Sequence, residues 1–267
     1  MQQITLPDKI NIKDLKDNRY QVVIEPFYPG FGVTVGNSLR RVLLSSLSGS
    51  AVTAFKIVGA QHEFDSVDGV KEDLVEIMLN LKKLRLKCHN QEPVKLTLEV
   101  KGERVVTAAD INKNSDVEII NKDLVIANLT DKNAKLEMEI IAEQGMGYVT
   151  VEQKDESVNL EIGNIAIDAS FSPVLNVGYN IENVRVGEMT NYERLNMDIV
   201  TDGTFDAKEV IAKAAEVLKE HFMIFGQDSP VADEVKEDEE PKEEKKEKVV
   251  KEKKEKAKSD KKVKKSK

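Results

Sequence analysis

Apolar residues recur at helical spacing just after a glycine-rich stretch near the start of the chain. Asn37 is a favourable residue to begin a helix, and four apolar residues follow it at spacings i, i+3, i+4 and i+8. This spacing places them on one face of a helix. These residues are Leu39, Val42, Leu43 and Leu47. The pattern predicts a helix beginning near Asn37 that holds Arg40 and Arg41 away from the centre of its apolar face.

A second helix is predicted from Glu72 to about Leu84. Its apolar residues again recur at helical spacing. The acidic Glu72 and Asp73 stand at its start and lysines, including Lys82, stand near its end. This order of charges suits the helix dipole.

A third helix is predicted from about Asp206 to Phe225. Asp206 and Glu209 have the spacing of a capping box, and Phe205 has the position that packs against Val210. The apolar face of this helix consists of Val210, Ile211, Ala214, Val217, Leu218, Phe222 and Phe225. Two interpretations of the first and third apolar faces stay open at this point: each packs inside its own chain, or each meets a second copy across a two-fold axis.

Short runs of branched or alternating apolar residues lie between the first and third helices. They predict antiparallel β-strands. With an earlier run that ends at a proline, they cover residues 20–26, 51–58, 94–100, 117–120, 135–141 and 148–151. Helices and strands together predict an α+β fold.

Composition narrows the class of protein. The chain has 267 residues, 40% of them hydrophobic and 33% charged, which suffices for one or two domains with a core. No run approaches the roughly 20 apolar residues of a membrane span, and the N-terminus lacks the pattern of a secretion signal. The single cysteine, Cys88, cannot form an intramolecular disulfide. We expect a cytoplasmic protein without contact to a membrane.

Charge is distributed unevenly along the chain. Residues 228–267 hold 15 lysines and 13 acidic residues, which leaves 25 basic and 35 acidic residues in positions 1–227. A body that acidic is not expected to bind DNA by itself. The Lys/Glu-rich residues 228–267 predict a disordered tail. Its last twenty residues hold 11 lysines and 3 acidic residues, so weak nucleic-acid contact and simple solubilisation both stay open as its role.

The glycines before the first helix raise the question of a phosphate site. Gly30, Gly32 and Gly36 form GxGxxxG, which is one residue longer than the dinucleotide-binding pattern. A nucleotide site is therefore disfavoured. Two adjacent arginines most often form a solvated face, although an arginine fork also suits an ion pair at a protein interface.

Residues 30–46, GFGVTVGNSLRRVLLSS, closely resemble the signature of the bacterial RNA polymerase alpha subunit. Further similar runs follow in the same order at residues 70–84, 106–111, 116–119, 166–174 and 183–186, so the resemblance covers about residues 1–227. It implies two interleaved domains. A dimerisation domain is expected from residues 1–48 and 174–227, with a β-rich domain of residues 49–173 inserted between them.

The resemblance also implies a function and its residues. The chain is expected to form a homodimer that recruits the beta and beta-prime subunits of DNA-directed RNA polymerase. Arg41 and Leu44 match beta-contact positions, and Lys82, Ile167 and Arg185 match beta-prime or assembly positions. The apolar faces of the first and third helices become the expected dimer interface. The helical C-terminal domain by which such subunits contact promoter DNA is not expected here, because residues 228–267 lack the apolar residues that it needs.

No residues suggest catalysis by this chain alone. The histidines His62, His89 and His221 are scattered and match no metal-binding spacing. We expect neither a metal nor a cofactor. A self-contained enzyme with a carboxylate site in the β-rich middle remains the alternative function, and the mass of the purified protein discriminates between the two because the scaffold must be a dimer.

Overall fold

The computed structural model describes residues 4–60, 62–154 and 163–225. The predicted tail, residues 228–267, lies outside them. The described residues up to Leu218 form one compact unit, and a second unit begins at Lys219, of which residues 219–225 are described.

Four helices and fourteen strands occupy the described residues. The helices are α1 Phe31–Ser45, α2 Leu74–Leu81, α3 Val151–Lys154 and α4 Ala207–Met223, with a 3₁₀ turn at Ala108–Asp110. The strands are β1 Lys9–Asp14, β2 Arg19–Phe27, β3 Ser48–Ile57, β4 Leu86–Cys88, β5 Val94–Lys101, β6 Arg104–Thr107, β7 Val117–Ile119, β8 Val125–Leu129, β9 Lys135–Met146, β10 Tyr148–Val149, β11 Ile165–Ala166, β12 Ala169–Ser170, β13 Val174–Val186 and β14 Met189–Thr201. The predicted α+β class is confirmed.

One four-stranded sheet joins the two ends of the described chain. Its order is β1-β2-β14-β13, and every pair is antiparallel. Helix α1 packs on β13 and β14. A hydrophobic cluster between them takes its residues from positions 22–47 and 174–214. Residues far apart in sequence therefore build this core together.

A second four-stranded sheet has the order β11-β3-β9-β5. It is also antiparallel. Helix α2 and the strand pairs β4-β7 and β6-β8 belong to the same part of the chain, and the cluster of buried residues here runs from Val52 to Ile167. The two clusters occupy the chain segments of the two predicted domains, whose boundaries stay a prediction.

The start of α1 differs from the prediction. The helix begins at Phe31, so Asn37 lies inside it and is not its N-cap. Gly30 precedes the helix with a φ of 88°, a left-handed conformation that suits glycine. A Cβ on Gly36 would lie 2.8 Å from Leu195 Cδ1 and 3.1 Å from Tyr179 Cδ2. Glycine at this position therefore allows the helix to lie close to the sheet.

Helix α2 is shorter than predicted. It runs from Leu74 to Leu81, and the Asp73 carboxylate caps it by accepting the backbone N–H of Glu76 at 2.7 Å. Glu72 lies before the helix, where its carboxylate accepts the backbone N–H of Asn128 at 2.7 Å. Asp73 is thus the N-cap that its place before the helix favours, whereas Glu72 links the start of the helix to β8.

The remaining predictions are partly correct. The predicted strands at 20–26, 51–58, 94–100, 117–120 and 135–141 correspond to β2, β3, β5, β7 and β9. The run at 148–151 forms only the two-residue β10, because Val151 already begins α3. The long hairpin of β13 and β14 was not predicted, since its polar and apolar residues mix on a half-exposed sheet.

Candidate functional site

Helix α1 presents its two arginines to solvent. Leu39 and Leu43 are buried against the sheet, whereas Arg40 and Arg41 are exposed on the other side of the helix. Leu44 is half-buried beside them, and its backbone carbonyl accepts the Ser172 hydroxyl at 3.3 Å. We call Arg40, Arg41 and Leu44 the arginine face.

The Arg41 guanidinium has no acidic partner in the part of the chain that the structure describes. An exposed guanidinium keeps its planar donor fork available for a carboxylate of another molecule. The arginine face can therefore bind an acidic group without first breaking an ion pair to any other described residue.

Glu193 on β14 fixes the start of α1. Its carboxylate accepts the backbone N–H of Gly30 and that of Gly32, each at 2.8 Å. These two amides belong to the helix end that favours negative charge. A Cβ on Gly32 would lie 2.7 Å from Glu193 Oε2, so glycine leaves room for the carboxylate. Glu193 occupies the amides that a phosphate would need and ties the arginine-bearing helix to the sheet.

A second group of predicted residues forms around Asp168. Lys82, the residue that ends α2, places its Nζ 3.1 Å from Asp168 Oδ2. Asp168 Oδ1 accepts the backbone N–H of Val151 at 2.9 Å. We call Lys82 and Asp168 the lysine–aspartate pair.

The electrostatics of the pair follow from these contacts. The Val151 N–H is the main reason that the pKa of Asp168 lies below its ordinary value, with the Lys82 ammonium next, against the opposing effect of burial. A hydrogen bond from Tyr148 contributes in the same direction. Both members of the pair are about one-third exposed, with relative side-chain exposures of 30% and 32%. The pair is accessible, but its charges already balance each other.

Ile167 and Arg185 lie in different settings. Ile167 is fully buried in the second cluster, and its N–H donates to the Thr53 carbonyl at 2.9 Å. It lies between β11 and β12 and not inside a strand. Arg185 is exposed near the turn of the β13-β14 hairpin, where its Nε donates to the Gly187 carbonyl at 2.8 Å. Ile167 adjoins the pair because it precedes Asp168 in the chain, whereas Arg185 lies elsewhere, on β13.

The residues predicted for the dimer interface divide by burial. Five are buried in the core of their own chain, which is the first of the two interpretations left open by the sequence: Leu39, Leu43, Leu47, Val210 and Ala214. Val42, Ile211, Val217 and Leu218 are half-buried. The role of these residues in a dimer stays a prediction. The buried ones can contribute to such an interface only indirectly, through the packing of the core beneath it.

The end of α4 is apolar and open to solvent. Phe222 is 64% exposed, Met223 49%, Ile224 61% and Phe225 86%. We call these four residues the apolar terminal segment. Successive large apolar side chains that are all exposed are unusual for a protein surface that stays in water, which makes this segment a candidate interaction site.

Two residues of the candidate site, Glu193 and Asp168, are not indicated by any sequence pattern. Glu193 lies more than 160 positions from the glycines it binds, as the separations of 163 and 161 show. Asp168, which is not among the candidate residues selected from the sequence, pairs with Lys82 at a separation of 86 positions. Neither contact is visible as a local sequence pattern, because each joins segments that meet only in the folded chain.

Among residues 4–60, 62–154 and 163–225, no three His, Cys, Asp or Glu side chains lie together as a metal site. No helix among them is both long and apolar enough to cross a membrane.

Comparison with known proteins gives consistent matches. The sequence model of the family described as RNA polymerase Rpb3/RpoA insert domain matches residues 55–172. A DNA-directed RNA polymerase subunit alpha from Oceanobacillus iheyensis is 48% identical over 219 residues, which are 81% of this chain and 69% of the relative. The subunit alpha of Symbiobacterium thermophilum is 47% identical over 84% of this chain and 73% of the relative. That of Moorella thermoacetica is 45% identical over 85% of this chain and 72% of the relative.

Proposed function

We propose, because the chain belongs to the family of bacterial DNA-directed RNA polymerase alpha subunits, that it is the homodimeric scaffold on which the beta and beta-prime subunits of that enzyme assemble. In this role one copy contacts beta and the other contacts beta-prime. Bond formation between nucleotides takes place in the large partners. The chain needs no catalytic residue, metal or cofactor of its own, works in the cytoplasm and reaches DNA through the assembled enzyme.

The arginine face carries the proposal for beta. Arg41 is exposed and has no acidic partner within the described residues. Its helix is tied to the sheet through Glu193, so its position loses little freedom when a partner binds. Leu44 adds an apolar contact one turn further on. A charged anchor with an apolar neighbour is typical of the residues that dominate protein interfaces.

The apolar terminal segment supports self-association. Its four exposed side chains lose contact with water when a second copy covers them, and each buried Å² of apolar surface contributes about 25 cal/mol. A two-fold interface uses the same surface of both copies. One such segment per copy therefore suffices for a closed dimer.

The lysine–aspartate pair supports the proposal for beta-prime. The pair is partly exposed and rigidly hydrogen-bonded to Val151, so it offers a donor and an acceptor in fixed positions. Arg185 is proposed as a further assembly contact on the hairpin.

Co-purification with the chain's own beta subunit tests the proposal. Arg41→Ala should retain the dimer but lose beta, because truncation of one partner of an interfacial charge pair costs on the order of 2–5 kcal/mol. Arg40→Ala is the matched control: it removes the same charge from the neighbouring exposed position and should retain beta. Undiminished beta with Arg41→Ala, or equal loss in both variants, would contradict the assignment.

Light scattering after gel filtration tests self-association separately. The unchanged protein should have the mass of two chains, and Phe222→Ser combined with Phe225→Ser should shift it toward one chain. Lys219→Ser, a change of an exposed residue on the same helix, is the control. A monomeric unchanged protein at micromolar concentration would rule out the scaffold.

A further inference from the structure

A cavity of about 460 Å³ opens in the part of the chain that holds the second hydrophobic cluster. It lies between the 3₁₀ turn Ala108–Asp110, the following loop and strand β7. The sequence runs at 106–111 and 116–119 both contribute to its lining, and the scaffold role makes no use of them. Its volume is within the usual range for small-molecule sites, about 300–1,000 Å³.

The floor of the cavity is apolar. Leu96, Ala108, Ile111 and Val117 line it, and none is more than 7% exposed. They belong to the hydrophobic cluster, so close packing behind them holds the floor in place. An apolar group that entered would displace water from this floor, which favours binding.

Hydrogen bonds hold the walls in place. Asp110 accepts the Thr107 backbone N–H at 2.8 Å and so closes the 3₁₀ turn. Asn112 donates its backbone N–H to the Thr97 carbonyl at 2.9 Å and its side-chain amide to the Thr97 hydroxyl at 2.8 Å. The loop after the turn is thereby tied to β5. The cavity is largely preformed, which lowers the entropy lost on binding.

The rim carries an excess of positive charge. Lys113 and Lys122 are exposed lining residues, against the single acid Glu118. Lysine ammonium groups beside an apolar floor complement a molecule with an apolar body and one acidic group.

We infer that this cavity binds a small amphipathic anion, meaning a compact aliphatic or aromatic body that carries a carboxylate. The body lies on the floor of Leu96, Ile111 and Val117. The carboxylate faces Lys113 and Lys122. The inference is independent of the scaffold role, because neither the arginine face nor the lysine–aspartate pair lines this cavity.

Saturation-transfer NMR and calorimetry on the full chain test the inference with two matched probes. Phenylbutyrate has the apolar body and the carboxylate, and phenylbutanol has the same body without the charge. We expect phenylbutyrate to bind at millimolar concentration or better and phenylbutanol to bind several-fold more weakly. The double variant Lys113→Glu/Lys122→Glu should weaken phenylbutyrate binding by at least about fivefold, because it reverses two favourable charge contacts.

Two further variants test whether the probes bind in this cavity. Lys101→Glu/Lys208→Glu makes the same change of charge at exposed residues outside the cavity and should bind like the unchanged protein. Ala109→Phe fills the mouth of the cavity from an exposed position and should abolish binding of both probes. Absence of phenylbutyrate binding, equal binding of the two probes, or binding that neither cavity variant reduces would overturn the inference.

Discussion

The arginine face and the lysine–aspartate pair are both charged, accessible surfaces, but they differ in what their charges already do. Arg41 has no acidic partner among the described residues. Lys82 lies 3.1 Å from Asp168, whose second oxygen binds the Val151 N–H. Within the described part of the chain, the first surface therefore has a charge without an acidic partner on a fixed helix, and the second has a compensated pair.

Because of this difference, we expect the arginine face to act mainly in partner recognition and the lysine–aspartate pair to act also in the internal structure of the chain. A partner that binds Arg41 gains a new charge pair without breaking an old one. A partner that binds the lysine–aspartate pair has to recognise both charges together or displace one of them. Changes at the arginine face should therefore affect association, and changes at the pair should affect association and folding by smaller amounts.

The largest effect on folding is expected from Glu193, which fixes the arginine-bearing helix. Glu193→Ala removes the acceptor of both the Gly30 and Gly32 amides and should lower the free energy of unfolding by about 1–3 kcal/mol. Urea denaturation measures the loss. Glu216→Ala, at an exposed acid of α4 away from its first turn, is the control and should change stability little. If both variants unfold alike, Glu193 does not fix the helix.

The close approach of α1 to the sheet should give a comparable or slightly smaller effect. Gly36→Val places atoms where a Cβ alone would already lie 2.8 Å from Leu195 Cδ1, and overpacking of this kind costs about 1–3 kcal/mol. The modest gain in helix propensity offsets part of that cost. Gly178→Ala has no atom within 4 Å of its new Cβ and should be tolerated in the same urea titration. Equal stability of the two variants would contradict the close packing.

The lysine–aspartate pair should contribute less to stability. Lys82→Ala should lower the free energy of unfolding by less than about 1 kcal/mol, since partly exposed ion pairs contribute little. Lys83→Ala removes an exposed lysine next to it and serves as the matched control in thermal and urea unfolding. A loss well above that of an exposed pair would mean that the pair is a main support of the fold, and the distinction from the arginine face would fail.

The smallest effect is expected from pH. The pKa of Asp168 is lowered in the folded chain, mainly by the Val151 N–H. Its contribution to stability is therefore present above the ordinary aspartate pKa of about 3.9 and is lost as the pH falls through the lowered value. Asp168→Asn should remove this part of the acid dependence, whereas Asp123→Asn, at an exposed position, is the control. Unfolding titrations between neutral and acidic pH compare the two, and identical profiles of unchanged and Asp168→Asn protein would contradict the assignment.

Much of the fold could be predicted from local patterns. Alternation identified β3, β5 and β9, and helical spacing identified α2 and α4. The start of α1 could not be predicted in this way. Glycines usually indicate a turn, but Gly32 and Gly36 lie within a helix. Glycine is needed there because Glu193 and Leu195 leave no room for a side chain. The residue-level preference was overridden by contacts with β14.

The candidate site was likewise only partly predictable from the sequence. The motif at residues 30–46 was enough to identify the family and to select Arg41 as the candidate anchor. It did not indicate that Glu193 holds the helix or that Asp168 neutralises Lys82. Whether the apolar faces lie inside the chain was also open, and burial of Leu43 and Val210 shows that part of each face belongs to the chain's own core.

The sequence by itself determined the period of α2 and α4 and of strands such as β3, β5 and β9, together with the family and the net charge of each segment, because these depend on residues that are near one another along the chain. Only the tertiary structure decided which charges are already paired, where α1 begins and where a cavity opens. The physical reason is that antiparallel pairing brings β2 and β14 side by side. Contacts between segments so far apart in sequence leave no local sequence pattern from which they could be predicted.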